Sequence, residues 1–274
     1  MGSYLNPGNM LYRGSLRSRI YVDKSLLIAK TNELFWTEQK YICVSRPRRF
    51  GKSMAANMLA AYYDRSADSE GLFQNLKISQ EESYKEHLNQ YDVIRVNMQE
   101  FLSATHSMDE MLSMLQKKVI RELKREYTGY EDEENLVFMM KDIFAQTNRP
   151  FVILVDEWDC MFREYQNDKE AQKKYLDFLR AWLKDQAYVG LAYMTGILPI
   201  KKYGSHSALN MFIEYSMTDP GEMAEYFGFT EEEVQALCTE YNMNFEETKA
   251  WYDGYGLRTH SRFGDKLYSM YSPK

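Results

Sequence analysis

Four short apolar runs, at residues 41–44, 93–96, 151–155 and 189–194, constrain this chain most. Each is too short for a helix, and the first three are rich in Val and Ile. Runs of this kind read as strands buried on both faces, as in a covered parallel sheet. Amphipathic helical patterns lie between them. Residues 54–64 follow the first run. Residues 107–126 place Met108, Met111, Leu112, Leu115, Val119 and Leu123 on one stripe,. Ser107 and Glu110 form a capping-box signature at its start,. Residues 171–185 repeat the pattern with Tyr175, Phe178, Leu179, Trp182 and Leu183. Strands alternating with helices predict βαβ units and an α/β fold.

After about residue 200 the strand signals stop. Thr230 with Glu233 makes another capping box, and Phe229 can staple onto Val234,. Asn244 with Glu247 opens a further helix, which runs to about Trp251-Tyr252-Asp253-Gly254. The pattern predicts a core over residues 1–204 and a small helical subdomain over 205–274. Its end, Tyr271-Ser272-Pro273-Lys274, brings no closing element into view, which predicts a subdomain cut short.

Composition removes several function classes. The 274 residues are 45% apolar and 27% charged, with a net charge of −6. That is a globular composition, and a generally nucleic-acid-coating protein would be basic. Cys43, Cys160 and Cys238 are odd in number and widely spaced, which suggests neither a zinc site nor a disulfide framework,. His87, His106, His206 and His260 have no metal-ligand spacing; His206, after Lys201-Lys202-Tyr203-Gly204-Ser205 near the expected sheet edge, is not expected to contact a nucleotide. No apolar run approaches the roughly 18 residues of a membrane span, and none resembles a signal peptide,. The expectation is a soluble cytoplasmic protein. The 22 tyrosines and 17 methionines suit half-buried and core-filling positions rather than a cofactor,.

The segment Ser45-Arg46-Pro47-Arg48-Arg49-Phe50-Gly51-Lys52-Ser53-Met54 carries the strongest chemical signal. It leaves the first strand and opens a helix, the placement a phosphate-binding loop requires. Loop amides and the helix N-terminus would cradle phosphates, and Lys52 would reach the β- and γ-phosphates. The Ser53 hydroxyl would bind Mg²⁺, and Gly51 lets the backbone approach closely. The match to GxxxxGK[ST] lacks its first glycine, replaced by Arg46; Pro47 can preset the turn instead,. The bland alternative is a basic surface turn. Arg46, Arg48 and Arg49 beside Lys52 fit neutralisation of a triphosphate, or contact with nucleic-acid phosphate. Lys117, Lys118, Arg121, Lys124 and Arg125 read more simply as a solvated helix face,.

The third run ends in Asp156-Glu157, a Walker B pattern. Asp156 can hold Mg²⁺, and Glu157 can orient or deprotonate a water. A carboxylate with this task belongs beside the loop, so the strand ending at Val44 is expected next to the one ending at Val155. Either acid could instead cap the next helix. The fourth run ends in Thr195-Gly196, where the Thr195 hydroxyl can sense a γ-phosphate or cap the following turn.

Taken together these residues resemble the AAA-ATPase-like domain proteins of bacteria. The resemblance rests on Tyr21-Val22-Asp23-Lys24-Ser25, the loop at 46–53, Val155-Asp156-Glu157-Trp158-Asp159, Thr195-Gly196-Ile197-Leu198, residues 227–234 and Trp251-Tyr252-Asp253-Gly254-Tyr255. The family's loop also reads Arg-Pro-Arg-Arg-Phe-Gly-Lys-Ser. The resemblance implies a P-loop NTPase three-layer sandwich with a mainly parallel sheet and a helical lid, and ATP rather than GTP. A nuclease-like domain often follows in such proteins; a partner protein or an oligomer is open. Two functions remain: Mg-dependent ATP hydrolysis, with Lys52, Glu157 and Thr195 catalytic, or a nucleotide-dependent regulatory module with little turnover.

Overall fold

The computed structural model describes residues 1–130, 132–200, 208–252, 254–261 and 264–272. The four predicted strands are present as β1 (Tyr41–Ser45), β2 (Asp92–Asn97), β3 (Phe151–Asp156) and β4 (Val189–Gly196). A fifth, β5 (Ile213–Tyr215), joins them in one parallel sheet of order β2-β3-β4-β1-β5. Alternate residues of each strand serve opposite faces. Cys43, Val96, Ile153, Val155 and Met194 pack with the helices Met108–Glu126, Leu136–Thr147 and Lys169–Leu183. Ile42, Val44, Val152, Leu154 and Tyr193 pack with the helices Leu26–Leu34 and Lys52–Tyr63. Both faces are covered, so the strands read as continuous apolar runs and the architecture is a three-layer α/β sandwich.

The strand order corrects one expectation. β1 does not neighbour β3; β4 lies between them, pairing Val44 with Thr195 and Val155 with Met194. An apolar run identifies a strand and its ends but carries no information on its neighbours. The ends of β1 and β3 remain level on one sheet edge, about 10 Å apart from two strand spacings.

A second correction concerns the segment beyond residue 205. The two expected helices are present, Glu231–Glu240 and Phe245–Tyr252, the first with its full capping box between Thr230 and Glu233. They are accompanied by β6 (Phe229–Thr230), β7 (Tyr255–Ser261) and β8 (Gly264–Tyr271), an antiparallel sheet of order β6-β8-β7. The segment is therefore not purely helical, and β8 pairs with both its neighbours. This hairpin buries Leu257, Met270 and Tyr271 while Leu267 stays exposed. With little of it apolar and inward, it lacks the run by which the core strands announce themselves. Residues 201–207, with His206 and the expected domain boundary, lie outside the described residues, as do Asp253, Pro273 and Lys274.

The edge of β2 is covered by the N-terminal segment. Asn6 N donates to Val93 O (2.7 Å), and Arg95 N donates to Tyr4 O (2.8 Å). The buried Glu122 carboxylate accepts from the amides of Ser3, Tyr4 and Leu5 at 2.8–3.0 Å. Such cover blocks pairing with another chain. At the base of β2, the fully buried Asp92 accepts from Asn6 Nδ2 (2.7 Å), Arg65 Nε (2.8 Å) and Tyr127 OH (2.5 Å), with Arg149 at 3.4 Å. Asp92→Ala removes the shared acceptor of these groups. It is expected to cost about 2–4 kcal/mol, read as a lower urea midpoint.

Candidate functional site

The loop after β1 is shaped by two left-handed residues, Arg49 (φ 71°) and Gly51 (φ 81°). Gly51 is the N-cap of the helix Lys52–Tyr63 and has no side chain to satisfy the first-turn amides. Those N–H groups have no intrahelical acceptor, and the helix dipole adds positive potential there. A side chain at 51 would also pay for the positive φ. Lys52 is buried and folds its amine back over the loop, donating to Arg46 O and Pro47 O, both at 2.9 Å. Burial pushes the Lys52 ammonium below its ordinary range, while Glu157, Asp156 and Asp159 act in the opposite direction. The loop lysine and the acids after β3 therefore share one electrostatic environment. Ser53 is exposed at the helix start.

The arginines of the loop divide. Arg48 and Arg49 are exposed, but Arg46 is fully buried. Its guanidinium donates to Ser45 O (3.1 Å) and Tyr215 O (2.7 Å) and lies 5.7 Å from the Phe227 ring centroid. Burial brings it down to about 10. Arg46 thus presents its backbone, not its charge, to the loop: its N–H donates to Gly196 O at 3.1 Å and its carbonyl accepts from Lys52. This corrects the reading of three arginines gathered around a triphosphate. The side chain turns inward because the end of β5 offers a carbonyl there. Phe50 is also buried; its ring meets Tyr255 edge-on and its carbonyl accepts from Gly228 N at 3.1 Å. Met54 is half-buried in a narrow apolar cleft of about 30 Å³, with Tyr21, Val22, Met58 and Phe229.

Across β4 lie the acids. Asp156 is buried, and its Oδ1 accepts from the Thr195 hydroxyl and from Glu157 N (3.1 Å). Thr195 is fully buried on the strand between Lys52 and Asp156, and its hydroxyl is engaged by the carboxylate rather than by a helix cap. Glu157 has φ 55°, uncommon for a residue with a long side chain, and its carboxylate pairs with Arg163,. The sheet edge thus brings together Lys52, Ser53, Asp156, Glu157 and Thr195 in the order of their strands.

Residues 15–205 match the model of the AAA-ATPase-like family, described as a predicted AAA-ATPase. The chain belongs to this family. A curated relative, an uncharacterized protein in the vnfD 5′ region of Azotobacter chroococcum mcd 1, is 25% identical over 246 residues. The match covers 86% of this chain and 45% of that protein, so the chain spans less than half the relative's length. Among solved structures, a DNA replication initiation factor is 14% identical with a TM-score of 0.39, matching 89% of this chain and 59% of that one. The Aeropyrum pernix ORC2 protein, in ADPNP–ADP complexes, is 11% identical with a TM-score of 0.41, matching 81% and 54%. The replication initiator DnaA, bound to AMPPCP and single-stranded DNA, is 12% identical with a TM-score of 0.40, matching 86% and 57%.

In this AAA-ATPase-like chain three neighbours of the site escape a reading of the sequence. Asp159 is fully buried and accepts from Ile197 N (3.1 Å) and Leu198 N (2.9 Å), tying the turn after β3 to the turn after β4. Both segments stand among the family motifs, but nothing in their spacing says that they meet. Gly196 makes the contact possible, since a Cβ there would lie 2.6 Å from Trp158 Nε1 and 2.8 Å from Asp159 Oδ1. Arg163 and Arg95 carry no motif at all. Arg95 lies on β2 opposite Leu154, two residues before Asn97, which pairs with Asp156; burial lowers its guanidinium, opposed by Asp156 and Glu100.

Proposed function

We propose that the chain binds Mg-ATP at the loop 46–53 and hydrolyses it. The observation that carries this reading is that the loop after β1, with Lys52, and the acids Asp156 and Glu157 at the end of β3 lie at the same end of one parallel sheet, beside a helix start whose Gly51 cap has no side chain for its amides. The amides and Lys52 bind the phosphates, with Arg48 and Arg49 at the rim. Phosphates reaching the loop take the Lys52 amine from the carbonyls of Arg46 and Pro47. Ser53 and Asp156 are hard oxygen donors suited to Mg²⁺. Among the described residues no cluster of three His, Cys, Asp or Glu forms a metal cage. An ion at this site would be held by one carboxylate, one hydroxyl and the phosphates together. When bound, Mg²⁺ neutralises charge on the phosphate oxygens. Glu157 orients the attacking water and takes its proton, and Thr195 holds Asp156 while responding to the γ-phosphate. The base enters the cleft beside Met54, which at about 30 Å³ must widen to admit it. With β5 belonging to the core sheet, the two helices Glu231–Glu240 and Phe245–Tyr252 and the strands β6–β8 beyond it act as the lid.

A second reading, a nucleotide-driven switch with little turnover, is favoured by one contact. The Phe50 carbonyl is bonded to Gly228 N, so a change in the loop is felt at once where the chain enters β6. A nuclease-like domain or partner protein would then read the lid. Titration with ATP and GTP, with and without Mg²⁺, together with a phosphate-release assay, tests both. The hydrolase reading expects ATP to bind more tightly than GTP, Mg²⁺ to strengthen binding, and phosphate to be released. Binding without release supports the switch, and no binding overturns both.

A further inference from the structure

Arg163 reaches back from the short helix Cys160–Glu164 and bridges two carboxylates. Its Nη2 pairs with Glu157 Oε2, and its Nε lies 3.5 Å from Asp159 Oδ2. The three side chains are 18%, 24% and 0% exposed, so this is not a solvated surface pair that water would loosen,. Asp159 Oδ2 is also the acceptor for Ile197 N and Leu198 N, the two residues after Thr195-Gly196. The chain of contacts therefore runs from the Glu157 carboxylate through one guanidinium and one buried carboxylate to the backbone beside Thr195. The Glu157 backbone is fixed independently: its N–H donates to Asp156 Oδ1, its carbonyl accepts from Cys160 N, and the next amide, Trp158 N, donates to Thr195 O. Only the torsions of the Glu157 side chain remain free, and Arg163 holds them.

We propose that Arg163 is the positioning residue of Glu157. It fixes the carboxylate relative to the turn that follows β4, so that the base keeps one position against the ends of β3 and β4. Arginine suits the task because its planar fork reaches both carboxylates at once, which a lysine ammonium does not. This inference rests on the hydrolase reading above.

The test compares steady-state phosphate release and the binding of a fluorescent ATP analogue for the 274-residue chain and its variants. Arg163→Ala is expected to lower kcat by about 10²-fold, the cost of a base misplaced by about an ångström, with analogue affinity little changed. Arg163→Lys is expected to recover part of the loss. In a Glu157→Gln background, Arg163→Ala is expected to lower the residual rate no further, because the group it positions no longer acts as a base. Arg163→Gln retains the first part of the stem and leaves no hydrophobic gap as deep as alanine does, so it carries the same comparison if the alanine variant does not fold. Wild-type turnover in a folded Arg163→Ala or Arg163→Gln protein overturns the proposal. So does a loss of affinity that matches the loss of rate, or a full additional loss in the Glu157→Gln background. A wild-type chain that binds the analogue and releases no phosphate overturns the hydrolase reading, and this inference with it. Turnover indifferent to Arg163 overturns this inference alone.

Discussion

Lys52→Ala is expected to weaken Mg-ATP binding by about 10²-fold or more, the scale of a charge-assisted contact made in a shielded site. The buried amine is the cation that the loop folds over itself, bonded to Arg46 O and Pro47 O. Arg46 cannot replace it, because its guanidinium is buried under the loop against Tyr215 O. Arg48 and Arg49 sit at the exposed rim, where salt and water screen them,. The substitution also removes the donor for two loop carbonyls, so a thermal melt must accompany the titration. A folded Lys52→Ala protein with wild-type affinity, measured calorimetrically with Mg-ATP, would mean that the phosphates do not bind at this loop.

How much of this was legible in the residues follows from what each feature depends on. β1 to β4 could be read because a strand covered on both faces must be apolar at nearly every position, as in Phe151–Asp156,. Their order could not, since no residue of β3 records that β4 lies between it and β1. β5 has only three residues, and its middle one, Glu214, serves Ile200 N and Ser45 Oγ rather than a pattern. β7 and β8 hold together through backbone pairing with few buried side chains, which leaves little trace in hydropathy. The helix caps at Ser107, Thr230 and Asn244 were legible because a cap is a local contact: each side chain accepts an amide three residues on,. In the site, Gly51-Lys52-Ser53 was readable for the same reason. The inward turn of Arg46 was not, because its partner is Tyr215, 169 residues away. Asp159 and Arg163 depend on two turns meeting across the sheet edge, a fact of the fold and not of any motif.

Glu157→Gln is expected to leave ATP binding nearly intact and to lower turnover by about 10²–10⁴-fold, the range for loss of a general base. The two side chains are nearly the same shape, and the amide oxygen can still accept from Arg163 Nη2. The bond from residue 157 N to Asp156 Oδ1 is made by the backbone and persists. Lys52, Ser53 and Asp156, which would carry phosphate and ion binding, are untouched. What disappears is the ability to accept a proton from water. Asp156 is a poor substitute, because its Oδ1 already holds the Thr195 hydroxyl and the Glu157 amide. Asp159 is poorer still, being fully buried with one oxygen committed to two backbone amides. The variant should therefore hold ATP long enough to be isolated with it, detected as unhydrolysed nucleotide on the protein after rapid desalting. Turnover equal to wild type would place the base outside this cluster, and joint loss of binding and turnover would make Glu157 a ligand-binding residue instead.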